Sequence, residues 1–281
     1  MTNLTDHTTG LLRAWADDLA AWRIPEAIMA AVDESPWVLP TEVFSRRADR
    51  HLADPAGPSH VHAIAALPDG GSVIDVGAAG GAASLPLAPR MTRLTAIDTH
   101  RPLLEDLTRR AAPLGLELTT VHGCWPDVAG DVPTADIVVC HHVLYNVADL
   151  APFVTALTTH ARRRVIVEIT ARHPLTELNP YWREFHDLHR PTGPTADQVV
   201  ELLQSLGIPA KADRRTRPPA AEYRSFTTLV DVTRRRLCLP PHRAEDVAAA
   251  LRRHGITEDE PPDLGSSGRD LVTIWWPGTA P

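Results

Sequence analysis

VIDVGAAGGAASLPLA, Val73 to Ala88, is the stretch on which the reading of the fold turns. An apolar, β-branched burst ends at Val76, and a glycine-rich turn follows through Gly77, Gly80 and Gly81. An alanine-rich segment continues from there. The order predicts a buried strand, a tight turn and then a helix beginning at "GAASLPLA". In a doubly wound sheet, the turn leaving the carboxyl end of the first strand is where nucleotides bind. Gly77 permits the tight turn and Gly81 lets the helix pack closely. Free N–H groups at residues 81–84 would then favour a carboxylate or phosphate.

Working outward, the same alternation repeats downstream. "RLTAID", "LELTTVHG", "ADIVVCHH" and "RRVIVEIT" read as the second to fifth strands, with helices "RPLLEDLTRRAA" and "LAPFVTALTTHA" among them. "DLVTIWWPG" reads as a final strand. Strands this continuously apolar fit a parallel sheet with both faces covered by helices. Thr195 and Gln198 predict a capping box ahead of helix "ADQVVELLQSLG". "FTTLVDVTRRRL" and "EDVAAALRRHG" read as further helices. Upstream, Leu12, Trp15, Leu19 and Trp22 recur at spacings of three and four and share one helical face. Pro25 opens a short helix, "EAIMAAV". Thr41, after Pro40, is placed to cap a third, "EVFSRRADRHL". "ADPAGPSH" reads as a break. The expected organisation is a helical cap and substrate lid over residues 1–60, then one domain over 61–281 with a lid insertion at 171–194.

Composition narrows the function classes. The 281 residues are 43% hydrophobic and carry a net charge of −7, so no overall cationic field attracts nucleic acid. Default roles for the arginine runs 162–164 and 234–236 are at helix ends, opposing the dipole. Three cysteines without a C-x-x-C pair fit a reducing, cytoplasmic setting. No apolar run approaches the ~20 residues that cross a bilayer. "HDLH" at 186–189 has too few companions for a metal site, so no metal is expected.

Which nucleotide does the loop take? A dinucleotide loop wants G-x-G-x-x-G, and Gly77-Ala78-Ala79-Gly80-Gly81 does not fit it. Asp75, two residues before Gly77, would repel a pyrophosphate but suits a cationic ligand. The stretch resembles the first motif of class I S-adenosylmethionine-dependent methyltransferases, (D/E)-x-G-x-G-x-G. Asp75, Gly77 and Gly81 fall on the acidic residue and on the first and third glycines. Ala79 replaces the middle one.

The resemblance implies an α/β, Rossmann-like, doubly wound and mostly parallel seven-stranded sheet with the N-terminal helical cap. It implies S-adenosyl-L-methionine as cofactor, with Ala78 and Ala79 in the loop and Asp98 holding both ribose hydroxyls. Asp98 lies about 20 residues on, an offset that dinucleotide enzymes share. Cys124 and Trp125 take the adenine-side position. Cys140 and His141, ending the fourth strand, border the crevice, although a buried thiol is the default for Cys140. Methyl transfer is an in-line displacement, and a base near neutral pKa helps a protonated acceptor. The candidates are His141, His142, Tyr145 and His173.

Trp37, Phe44, Tyr181, Trp182, Phe185 and His186 suit an aromatic or apolar small-molecule acceptor, a specialised metabolite being preferred. They suit a core equally well. The alternatives are an RNA or protein methyltransferase and a non-methylating, nucleotide-binding member of the fold. Homo-oligomerisation stays open.

Overall fold

The computed structural model describes residues 2–218, 223–256, 258, 264 and 269–281. Five strands run parallel: β1 (Gly71–Val76), β2 (Met91–Asp98), β3 (Glu117–His122), β4 (Ala135–His141) and β5 (Ala161–Thr170). With β6 (Lys211–Thr216) and β7 (Asp270–Pro277) they form one seven-stranded sheet of order β3-β2-β1-β4-β5-β7-β6. β7 runs antiparallel to both of its neighbours. The order of winding reverses between the parallel neighbours β1 and β4, and a ligand crevice opens at such a switch point.

Alternation along the central strands sorts the core into two layers. Ile74, Val76, Val138 and Cys140 face one layer, together with Trp15, Phe153, Leu202 and Trp276. Val73, Ile137 and Val139 face the other, together with Leu67, Leu85, Leu94 and Leu107. Successive side chains on a strand point to opposite faces, so each strand serves both layers.

The helices are α1 (Thr2–Ala20), α2 (Glu26–Met29), α3 (Thr41–Ala53), α4 (Pro58–Ala65), α5 (Arg101–Ala111), α6 (Leu150–His160), α7 (Asn179–His186), α8 (Ala196–Ser205), α9 (Phe226–Arg236) and α10 (Ala244–Arg253). α1 packs on α8, and the Trp15 indole N–H donates to the Val147 carbonyl at 2.8 Å. That bond fastens the N-terminal helix beside the end of β4. A second core lies off the sheet, where Ile24, Val43, Tyr181, Trp182, Leu229 and Leu251 pack together.

Several local expectations change. The segment after the glycine loop is a turn followed by a 3₁₀ helix, Leu85–Arg90. Pro86 and Pro89 lack the N–H donors that an α-helix needs there. No α-helix terminus therefore stands at 81–84. Thr41 makes no side-chain cap; the N-cap position is Pro40. Trp22 lies past the end of α1, buried, its indole N–H donating to the Gly193 carbonyl at 2.7 Å. Part of the "ADPAGPSH" break starts helix α4, with Pro58 at its first turn. The Thr195–Gln198 capping box is present as expected.

Candidate functional site

The glycine loop is held by backbone bonds. Gly77 and Ala78 both donate to the Ile97 carbonyl, at 2.9 and 3.0 Å. Gly77 has φ +73°, and a Cβ there would lie 2.3 Å from Val143 Cγ2. Ala79 also adopts the left-handed region, φ +44°, where the middle glycine of the motif would stand. Its N–H donates to Asp98 Oδ2 at 2.8 Å, while Oδ1 accepts from the His100 N–H at 2.8 Å. Asp98 is thus fixed at the end of β2, and each oxygen retains a lone pair for a ligand hydroxyl.

Asp75 does not reach the crevice. It is buried beneath the loop, where its Oδ2 accepts from the Ser84 hydroxyl at 2.5 Å. Its Oδ1 has no hydrogen-bond partner. Burial pushes the Asp75 carboxyl up to about 7, with Asp98 adding to the rise and Ser84 opposing it. Asp75 is not among the residues lining the crevice, and its bond ties the strand to Ser84 after the loop.

Above the loop is a chamber of about 620 Å³, within the roughly 300–1,000 Å³ of small-molecule sites. Residues 77–80, Asp98, Gly123, Cys124, His141 and His142 form its floor, and Trp37, Phe44 and Arg47 reach it from the N-terminal segment and α3. Cys124 is exposed, its thiol 3.6 Å from the Trp125 carbonyl. Trp125 borders the chamber but is mainly core: it is 5% exposed, and its indole N–H donates to the Phe153 carbonyl at 3.4 Å. Cys140 is not part of the lining. It points into the core layer opposite His141, and burial pushes its thiol well up.

His141 and His142 do face the chamber. His141 Nε2 is buried without a hydrogen-bond partner, and burial lowers the pKa of the ring. His142 is left-handed, φ +60°, and its N–H donates to the Glu168 carbonyl at 2.7 Å. Its Nε2 lies 3.8 Å from Glu168 Oε1. Burial, reinforced by the Arg47 charge, lowers His142 to about 3. Glu168 went unread in the sequence. Buried on β5, it accepts from the Ser59 hydroxyl at 2.8 Å and has Arg215 at 3.6 Å. Burial would raise it, but the two histidines, Ser59 and Arg215 outweigh that and hold it at about 2. An acidic residue inside the apolar run "RRVIVEIT" was the available signal, since buried charges require partners.

A second chamber of about 680 Å³ adjoins the first. Trp37, Leu39, Phe44, Arg47, His142 and Asn146 face both. Tyr145 and His173 line the second, not the first. The Tyr145 hydroxyl donates to the Thr170 carbonyl at 2.7 Å, and burial raises its pKa. His173 stacks on Trp22 at 4.2 Å, and its Nδ1 accepts from the Leu175 N–H at 3.3 Å. Burial lowers it to about 4, with Arg236 and Arg190 contributing. Tyr145 and His173 thus stand on the wall of the second chamber, each with one of its polar atoms bonded to the backbone. Tyr181 and Trp182 lie in the second core, packed with Phe185, and His186 Nε2 meets the Leu237 carbonyl at 2.6 Å.

Among the described residues, no group of three or more His, Cys, Asp or Glu is arranged to hold a metal ion. None of their helices is long and apolar enough to cross a membrane.

A family model described as a methyltransferase domain matches residues 74–167. An uncharacterised protein of Haemophilus influenzae is 34% identical over 108 residues, 38% of this chain and 40% of its own length. The chain therefore spans well under half of that relative. Among solved structures, the YcgJ protein of Bacillus subtilis superposes with a TM-score of 0.50 at 15% identity, covering 79% of this chain and 99% of its own. A magnesium protoporphyrin IX methyltransferase from Synechocystis with bound S-adenosylhomocysteine aligns at 20% identity over 63% of this chain and 78% of its own, with a TM-score of 0.45. The methyltransferase-domain match covers about a third of the chain, and the sheet that carries it shares the fold of the YcgJ structure.

Proposed function

We propose that the protein transfers a methyl group from S-adenosylmethionine in the first chamber to a small molecule in the second. The observation that carries this reading is the junction: two chambers meet across one wall that contains His142 and Arg47. The residues present fit the cofactor. Asp98 offers lone pairs on both carboxylate oxygens to the ribose diol. The open backbone beside Gly77 and Ala78 leaves room for the amino-acid end, and Gly123 and Cys124 border the adenine side. When bound, S-adenosylmethionine supplies a methyl group already activated by positive sulfur.

The chain's own part is positioning. Trp37 and Phe44 line the junction, and alignment of donor and acceptor lowers the barrier. His142 stands at the junction with its Nε2 3.8 Å from Glu168 Oε1. With its pKa lowered to about 3 it acts as a neutral hydrogen-bond partner that orients the acceptor rather than as its base. His141 supports the same wall. Trp22 and Trp37 of the N-terminal segment and His173 and Leu175 of the 171–194 segment supply acceptor walls, which supports reading these as cap and lid. The acceptor is a specialised metabolite of small size. Three free cysteines fit a reducing compartment such as the cytoplasm.

Calorimetric titration with S-adenosylhomocysteine, with NAD in parallel, tests the reading. We expect micromolar binding of the former alone. Asp98→Ala should weaken it by about 10- to 100-fold, the value of hydrogen bonds to a charged group. Binding of NAD alone, or of neither, would overturn it.

A further inference from the structure

A ladder of aromatic rings stands beside the second chamber. Trp15 stacks on Tyr145 at 5.9 Å and 18°, Tyr145 meets His173 at 5.2 Å and 55°, and His173 stacks on Trp22 at 4.2 Å and 18°. Tyr145, His173 and Trp22 line the chamber, and Trp15 backs them from the core. Every rung is pinned to the backbone. Trp15, Trp22 and Tyr145 donate to the carbonyls of Val147, Gly193 and Thr170, and His173 Nδ1 accepts from the Leu175 N–H. With their faces turned on one another, the rings leave their edges to the chamber, and an aromatic edge is the positive rim of its quadrupole. Trp37 and Phe44 reach the same space from the segment before α3 and from α3 itself. Neither pairs with another ring among the described residues, and Trp37 is half exposed. Phe, Trp and Tyr make up only 5% of the chain, so the gathering of Trp22, Trp37, Phe44 and Tyr145 on one chamber runs against the composition.

We propose that the second chamber takes a flat, fused aromatic acceptor, its π face laid on the ring edges of Tyr145, His173 and Trp22 and covered by Trp37 and Phe44. The assignment rests on the second chamber being the acceptor site. The negative face of an aromatic ring meets a positive edge favourably, and each such pair adds to what burial of area alone supplies. A saturated ring of the same skeleton has no such face. The ladder is already fixed by its hydrogen bonds, so little ordering entropy opposes binding on that side. The hydroxyl or amine of the acceptor then reaches the shared wall at His142 and Asn146.

The test is a matched pair of probes, 2-naphthol and its saturated analogue decahydro-2-naphthol, titrated calorimetrically into the full chain. Affinity for S-adenosylhomocysteine is measured in the same preparations. Both probes carry one hydroxyl on the same carbon skeleton, and the saturated one has no less apolar surface. Burial of area alone therefore gives 2-naphthol no advantage. Stacking on the ladder and on Trp37 should make 2-naphthol bind at least about fivefold more tightly. Trp37→Leu keeps an apolar side chain but removes the ring, and should lower that preference at least about twofold. Its melting midpoint, unchanged at so exposed a position, shows that the variant is folded. Should it fail to fold, Phe44→Leu gives the same readout.

Equal or tighter binding of the saturated probe would overturn the proposal. So would a preference unchanged by both substitutions, or no binding of 2-naphthol, 2-aminonaphthalene or 5-hydroxyindole. Failure of the methyl-transfer reading looks different: the aromatic preference would persist while S-adenosylhomocysteine did not bind.

Discussion

Ala79 holds a conformation that L-residues avoid, φ +44°, because the loop must turn there to bring its N–H onto Asp98. The left-handed region costs a residue with Cβ roughly 1–2 kcal/mol. Replacement by glycine removes that strain but adds freedom to the unfolded chain, worth roughly 0.4–1 kcal/mol. Ala79→Gly should therefore stabilise the protein by about 0.5–1 kcal/mol, read as a higher midpoint in urea or heat. A lower midpoint would show that the methyl group packs favourably. Asp75 makes a pH-dependent prediction. Its carboxyl titrates near 7 in the folded chain, against an ordinary value of 3.8. Between these values the native state keeps a proton that the unfolded state has released, so its contribution to stability falls as pH rises from about 4 to about 7. Asp75→Asn carries no such charge. Its advantage over the wild type should grow from near zero at pH 4 to on the order of 2–4 kcal/mol at pH 8. Histidines 51, 142 and 173, lowered by burial to about 4, 3 and 4, push the other way and cancel in that difference. A flat difference curve from melts across the pH range would refute the shift.

Strands β1, β2, β4, β5 and β7 were legible because each is an apolar run long enough to cross the core. Strand β6, KADRRT, has no such run and was invisible as a strand. Its pairing comes entirely from β7, and its charges keep other chains off an edge that would otherwise be open. Helix α4 was hidden for a different reason: Pro58 looks like a breaker, yet proline at the first turn of a helix satisfies its geometry. At Leu85–Arg90 the error ran the other way, alanines suggesting an α-helix that two prolines forbid. The candidate site divides along similar lines. Gly77, Ala79 and Asp98 are close in sequence and could be read as a loop and its partner. Glu168 with Ser59, and Trp22 with His173, are brought together only by tertiary packing. Local pattern carries no record of such contacts, so the buried carboxylate and the second chamber appeared only with the fold. The same lack of tertiary information hid that Tyr145 and His173 line the second chamber and not the first.

The whole molecule places a nucleotide-type crevice on a twisted sheet and closes it with helices drawn from both ends of the central domain. The N-terminal segment provides α3 and Trp37, and the stretch after β5 provides His173 and Leu175. The shared wall makes the two chambers one thermodynamic system. Trp37 is 51% exposed, and a molecule that immobilises it from one side has already met the entropic cost of ordering it for the other. Reciprocity then fixes the arithmetic: whatever factor S-adenosylhomocysteine adds to the affinity of a second-chamber ligand, that ligand must add to that of S-adenosylhomocysteine. A square of four titrations should return one cooperativity factor by both routes, roughly fivefold or more. A factor of one would mean that the wall is already rigid when both chambers are empty. A factor above one would make each ligand a sensor of the other, so that the donor proposed for the first chamber is held most firmly when the second is occupied.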